Sequence, residues 1–314
     1  MKTEFEIIEK FFNKKAIKAH KGIGDDAALI EKDGKTFWAI STDMLNEKVH
    51  FMPNTDPYKL GWKAMAVNVS DLLAMGASPM FALLSIALPK SNSDWLKKFS
   101  KGFFECGKKY NVELIGGDTT KGPLTINVTI LGDVNKKNIL LRSNAKIGDD
   151  IWVTGELGLA ALGLKIIQKK INAPSTITKK SINALEKPKP NMLIIEKIKP
   201  FCNAAIDVSD GFISDLNHIL IASKVGAHIF LKDVPMNKWI RKTEKEDLAL
   251  YGGDDYQTIL TAPKKMRSKI EKLLQKNNLE LSRVGIITKD KKLHLSNNDK
   301  TIKLKKGYIH FEKN

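Results

Sequence analysis

The chain has 314 residues, 42% of them hydrophobic, and a formal net charge of +17 at pH 7. That length suits about two domains with real cores, and that composition excludes a disordered chain. All but four of the 52 basic residues (Arg142, Arg241, Arg267, Arg283) are lysines, scattered with few aromatics among them, so we expect a solvated surface and no nucleic-acid partner.

Phe5 to Phe12 predicts a short amphipathic helix, with Phe5, Ile8, Phe11 and Phe12 on one face. The glycine-aspartate loop Gly22-Ile23-Gly24-Asp25-Asp26 follows, then two strands, Ala27 to Ile30 and Thr36 to Ser41, the second ending at Thr42-Asp43. Asp56-Pro57 opens a helix running to about Met75, which places Asn68 and Asp71 on one face. Leu72 to Pro89 is almost wholly apolar, but Gly76-Ala77-Ser78-Pro79 divides it into a helix end, a turn and a buried strand, so no membrane span is expected. Ser93 is read as the cap of a helix to Tyr110. Val112 to Ile115 is read as a short strand delivering Gly116-Gly117-Asp118, and Thr125 to Val134 as an alternating strand.

Polar turns between Asn135 and Asp150 mark a boundary, giving domains over 1–138 and 139–314. Gly148-Asp149-Asp150 is a polar turn ahead of a strand from Ile151 to Thr154. The following Gly155 to Gly158 turn lacks the ending of a Walker A loop. Ala204 to Asp207 is a strand meeting Val208-Ser209-Asp210-Gly211 and a helix. Alternating strands and helices continue to a closing segment, Leu293 to Phe311. The fold class is mixed α/β (α+β). Cys106 and Cys202 belong to no metal-spaced or redox motif, and the first residues hold Glu4, Glu6 and Glu9 rather than an apolar signal core. A cytoplasmic protein is expected.

Acidic turns recur where apolar runs end or helices begin: at Asp26, Asp43, Asp71, Asp118, Asp207, Asp210 and Asp254. Singly, each reads as a helix cap or a turn. If the first six converge, two carboxylates ~5 Å apart repel by roughly 3 kcal/mol at an effective dielectric near 20. Such a cluster needs divalent cations or protonation. Oxygen ligands without Cys or His select a hard ion, Mg²⁺ or Mn²⁺, and magnesium shares its shell with phosphate. No nucleophile elbow, zinc helix or Cys/His pair is present. That suits transfer to a phosphate, since a monoester whose second pKa is ~6 is already ionised at pH 7.

These motifs, in this order, resemble the thiamine-monophosphate kinase family. They are Gly22 to Asp26, Ser41 to Asp43, Asn68 to Leu72 with Met75-Gly76-Ala77, Leu114 to Thr120, Asp207 to Gly211 with Asp215, and Tyr251 to Tyr256. The resemblance spans nearly the whole chain. It implies the two-domain aminoimidazole ribonucleotide synthetase-like fold and a homodimer whose N-terminal domains pair into a barrel-like sheet. Each C-terminal α/β domain would close over nucleotide and substrate. It implies ATP as co-substrate, several Mg²⁺ ions, and transfer of the γ-phosphoryl group to thiamine monophosphate. Carried over residue by residue, Asp26, Ser41, Thr42, Asp43, Asp71, Asp118, Asp207 and Asp210 would bind magnesium. Gly117, Asp118, Arg142 and Ser209 would hold ATP, and His50, Asp254 and Tyr308 would meet thiamine monophosphate. Lys121 is a further candidate for a phosphate contact. The chain departs from the family's usual Gly-Gly-Glu-Asp at Gly252-Gly253-Asp254-Asp255, where the first carboxylate is one methylene shorter, and has Asn191 where the family more often has Arg. The runner-up is an aminoimidazole ribonucleotide synthetase-like ATP-dependent ligase; from a different class, a lysine-rich RNA-binding protein.

Overall fold

The computed structural model describes residues 3–298 and 300–305. Its first sheet has five strands in the order β1-β2-β5-β3-β4: β1 (Ala28–Glu31), β2 (Thr36–Asn46), β3 (Ser78–Leu88), β4 (Glu113–Lys121) and β5 (Thr125–Asn135). All pairings are antiparallel except β3 with β4. Along β2 the odd positions Phe37, Ala39 and Leu45 are buried, so Ser41 and Asp43 share the inward face while Thr42 points to the other.

Two helices cover that inward face: α2 (Pro57–Ala74), preceded in the chain by the one-turn α1 (Glu4–Ile7), and α3 (Ser93–Tyr110). Asp56 caps α2 by accepting from the Lys59 N–H, with Pro57 in the first turn. From Leu60 to Ala74 every residue of α2 except Asp71 is buried. The cause lies on its far side, where a second sheet packs against it.

That second sheet has seven strands in the order β12-β11-β8-β10-β6-β9-β7. They are β6 (Asp149–Thr154), β7 (Ala204–Asp207), β8 (Gly226–Phe230), β9 (Thr258–Pro263), β10 (Leu281–Thr288), β11 (Leu293–Asn297) and β12 (Lys300–Ile302). It is antiparallel apart from the β8–β11 pair. Alternation along its strands feeds two cores. Trp152, Ala205, Leu260 and Ala262 join the core built around α2, whereas Ile151, Val153, Ile206 and Ile259 pack with α4 (Leu159–Ile167) and α7 (Phe212–Ser223). Shorter helices α5 (Ser175–Glu186), α6 (Met192–Ile198), α8 (Lys238–Lys242), α9 (Asp247–Tyr251) and α10 (Arg267–Asn277) complete the layers.

Four expectations change. Ser41 to Asp43 and Gly116 to Asp118 lie inside long strands, not at strand ends, because both strands continue as regular pairing partners. Asn92, not Ser93, caps α3, its side chain accepting from the Asp94 and Trp95 N–H groups at 3.1 Å. The N-terminal helix passes into a π-turn over Ile8–Phe12, where Phe11 and Phe12 are mostly exposed instead of forming a buried face. Asp149 and Asp150 are not a surface turn but the buried start of β6, and Asp150 takes a bidentate pair of bonds from Arg267 at 2.8 and 2.6 Å. Among the described residues no helix is long and apolar enough to cross a membrane.

Candidate active site between the two sheets

Three separate stretches bring carboxylates to α2. Asp26 leaves the glycine loop just before β1, Asp71 is on α2, and Asp207 ends β7 on the face that Ala205 also presents to α2. One oxygen from each of Asp26, Asp71 and Asp207 lies within 4.8 Å of the other two. Asp43 adjoins them on the inward face of β2. Its backbone N–H donates to Asn68 Oδ1 at 3.1 Å, and the Ser41 hydroxyl donates to Asp71 Oδ2 at 2.6 Å. Asn68 and Asp71 therefore do share a helix face, and that face grips β2. The Ser70 hydroxyl donates to Asp207 Oδ2 at 2.8 Å from the face that meets the second sheet.

Among the described residues, Arg142 is the cation that reaches this group. Arg142 Nη2 donates to Asp26 Oδ1 at 2.6 Å, and the Arg142 backbone N–H donates to Asp25 Oδ1 at 2.8 Å. Asp25 itself pairs with Lys21 at 2.7 Å, so the first carboxylate of the glycine loop is structural. One guanidinium does not offset the cluster. Burial, reinforced by Asp210, Asp26 and Glu4, pushes Asp43 up to about 6. Asp71 and Asp207 are driven well above the ordinary carboxylate range, by burial first and by their acidic neighbours second. Asp26 is raised as well, its burial outweighing Arg142, and its Oδ2 is a buried oxygen without a hydrogen-bond partner.

The loop after β7 is held from below. Buried Asp215 of α7 accepts from the Asp210 and Gly211 N–H groups at 3.1 and 3.0 Å, and the Ser209 carbonyl accepts from the Asp254 N–H at 2.8 Å. Asp254 and Tyr256 both have positive φ, 67° and 48°. Asp255 between them turns away and accepts from the Gly158 and Ala160 N–H groups at the start of α4. The Asp254 carboxylate meets Lys63 of α2 at 2.8 Å. His50 follows β2, its Nδ1 accepting from the Asn46 N–H at 3.0 Å.

Three expected residues stand elsewhere. The Thr42 hydroxyl is on the opposite face of β2, where it donates to the Val128 carbonyl at 3.2 Å, because strand alternation separates it from Ser41 and Asp43. Gly117 and Asp118 are on β4, an edge strand among the described residues, three strands and so about 14 Å from β2. There the φ of Gly117 is 148°, and a Cβ would meet the Leu84 carbonyl at 1.8 Å. Tyr308 lies outside the described residues. Nothing in the motifs marks Lys63, Ser70 or Tyr256 individually. Lys63 and Ser70 are seven apart in an apolar helix, the one periodic hint that they share a stripe.

The family model for the AIR synthase related protein N-terminal domain matches residues 24–134, and that for the C-terminal domain matches 146–296. The chain is 46% identical to the thiamine-monophosphate kinase of Buchnera aphidicola subsp. Schizaphis graminum over 323 aligned positions, covering 98% of this chain and 99% of that one. It belongs to the thiamine-monophosphate kinase family. The thiamine-monophosphate kinase of Escherichia coli K12 is 39% identical, with 98% of each chain covered. A solved thiamine-monophosphate kinase family structure described as AaThiL complexed with AMPPCP and TMP superposes with a TM-score of 0.84 at 28% identity, over 98% of this chain and 97% of that one.

Proposed function

We propose that the chain transfers the γ-phosphoryl group of ATP to thiamine monophosphate, giving thiamine diphosphate and ADP. The observation that carries this reading is the meeting of Asp26, Asp71 and Asp207 within 4.8 Å in a member of this family. The donor set fits magnesium: it is all oxygen, it is destabilised as it stands, and Asp26 Oδ2 lacks a partner. Asp26, Ser41, Asp43, Asp71, Asp207 and Asp210 would hold the ions. When bound, magnesium neutralises phosphoryl oxygens and keeps them in line.

The chain's own residues then position rather than react. Ser41 and Asn68 fix Asp71 and the Asp43 segment, Ser70 fixes Asp207, and Arg142 holds Asp26 against its neighbours. The acceptor phosphate is already ionised at pH 7 and needs no general base. We assign Arg142 and Ser209 to ATP, and His50, Asp254 and Tyr308 to thiamine monophosphate. Thr42, its hydroxyl turned to the other face of β2, is not assigned to the ions. Gly117 and Asp118 act on the same nucleotide only if it bridges three strands or a second chain brings them near.

The same reading makes 1–138 and 139–314 the working domains of a cytoplasmic homodimer. Exposed Ile30, Met44, Leu83 and Ile115 on the first sheet support the paired-sheet interface. ADP release by the purified chain tests the function. Dependence on thiamine monophosphate supports it, and dependence on formylglycinamidine ribonucleotide instead overturns it.

A further inference from the structure

Helix α2 carries a charge that phosphoryl transfer as described does not use. The Lys63 side chain is only 3% exposed, on a helix surrounded by apolar residues. Burying an ammonium is expensive unless its donors are satisfied. Lys63 Nζ meets Asp254 Oδ1 at 2.8 Å and donates to the His50 carbonyl oxygen at 3.2 Å. These two partners come from opposite halves of the molecule. His50 closes the turn after β2, and Asp254 sits in the loop ahead of β9.

The two partners are themselves set in place by the backbone. The Asn46 N–H donating to His50 Nδ1 puts the proton of a neutral ring on Nε2, which makes that nitrogen a donor. The Asp254 N–H, donating to the Ser209 carbonyl at 2.8 Å, holds the residue at its positive φ. Lys63 supplies the cross-link between them. It engages Oδ1 of a side chain that stays 30% exposed, leaving Oδ2 for a cationic or N–H-bearing partner.

We propose that Lys63 is a positioning residue for the acceptor: it sets the spacing between the His50 segment and the Asp254 carboxylate, and so the affinity for thiamine monophosphate. This rests on the assignment of His50 and Asp254 to that substrate. Thiamine monophosphate offers a cationic thiazolium and an aminopyrimidine, which a fixed carboxylate oxygen can meet. The same reading assigns ATP to Arg142 and Ser209, so the Lys63 cross-link bears on the acceptor alone.

The test is steady-state kinetics on the full chain, after the unmodified enzyme has been shown to release ADP with thiamine monophosphate. If it does not, the function fails and not the role of Lys63. Lys63→Met is expected to raise KM for thiamine monophosphate by about tenfold and to change KM for ATP by less than about twofold. Lys63→Arg is expected to recover most of the loss, and Lys63→Met with Asp254→Asn to be no worse than Asp254→Asn alone. A rise in both KM values alike, or in neither, overturns the proposal. Should Lys63→Met not fold, Lys63→Gln decides: a selective rise in KM for thiamine monophosphate supports the proposal, and an unchanged KM or an equal rise in both KM values overturns it.

Discussion

Ser70 on α2 donates its hydroxyl to Asp207 at the end of β7, 2.8 Å across the seam between the two sheets. A hydroxyl from one half thus stabilises the ionised form of a carboxylate from the other, against burial that favours protonation. A hydrogen bond to a charged group contributes about 1.5–3 kcal/mol. Ser70→Ala should therefore weaken magnesium activation by about tenfold or more, read as a higher magnesium concentration for half-maximal rate. An unchanged magnesium dependence would remove Asp207 from the metal-holding group.

Asp71 and Asp43 are the residues whose loss should silence turnover without loss of fold. Asp71→Asn and Asp43→Asn each remove one half-buried negative charge from a crowded group, so thermal unfolding without magnesium should occur at the same or higher temperature. The rate should drop by about a thousandfold. Full activity in both variants would contradict the proposed metal site.

The raised carboxylates also give stability a pH dependence with a definite sign. Asp43 has a folded value of about 6 against an ordinary 3.8, and Asp26, Asp71 and Asp207 are shifted in the same direction. Between those limits the folded chain binds more protons than the unfolded chain, so its stability falls as pH rises. The metal-free protein should melt several degrees higher at pH 5 than at pH 7.5, and magnesium should raise the melting temperature more at pH 7.5. A metal-free melting temperature that climbs from pH 5 to pH 7.5 would count against the cluster as drawn.

Much of the site could be read from the chain because the acidic motifs announce themselves by glycine and by spacing. Asp26, Asp71 and Asp207 each stand where an apolar run begins or ends. What could not be read was direction. A strand that continues past Ser41 to Asn46 sends Thr42 away from its neighbours, and nothing local says where β2 stops. Nor does local sequence say that β4 becomes an edge strand among the described residues, which carries Asp118 away from the cluster. Lys63 escaped for a different reason: in a chain so rich in lysine, burial alone distinguishes it, and burial comes from the second sheet.

Arg267 provides a control outside the chemistry. Its bidentate grip on buried Asp150 sits at the start of β6. Breaking a buried pair by removing one partner costs about 3–5 kcal/mol, less here because Arg267 is partly exposed. Arg267→Gln should lower the melting temperature by several degrees while leaving both KM values unchanged. A kinetic effect without a stability effect would mean that Asp150 serves the substrates.

Gly117 tests the edge strand. An alanine Cβ there would strike the Leu84 carbonyl at 1.8 Å and must adopt a φ of 148°. Gly117→Ala should destabilise the chain by more than about 2 kcal/mol, measured by denaturant unfolding. A neutral result would show that β4 can move off β3 at little cost.

From Leu60 to Ala74 helix α2 is shut off from water except at Asp71, and that governs how the molecule can come apart. Trp62 donates to the Pro188 carbonyl, Lys59 pairs with Glu186, and Ser70 reaches Asp207. Cutting the chain after residue 138 would bare this whole stripe to water. Neither fragment should then survive as a well-behaved monomer, and mixing the two should restore a single joint melting transition instead of two.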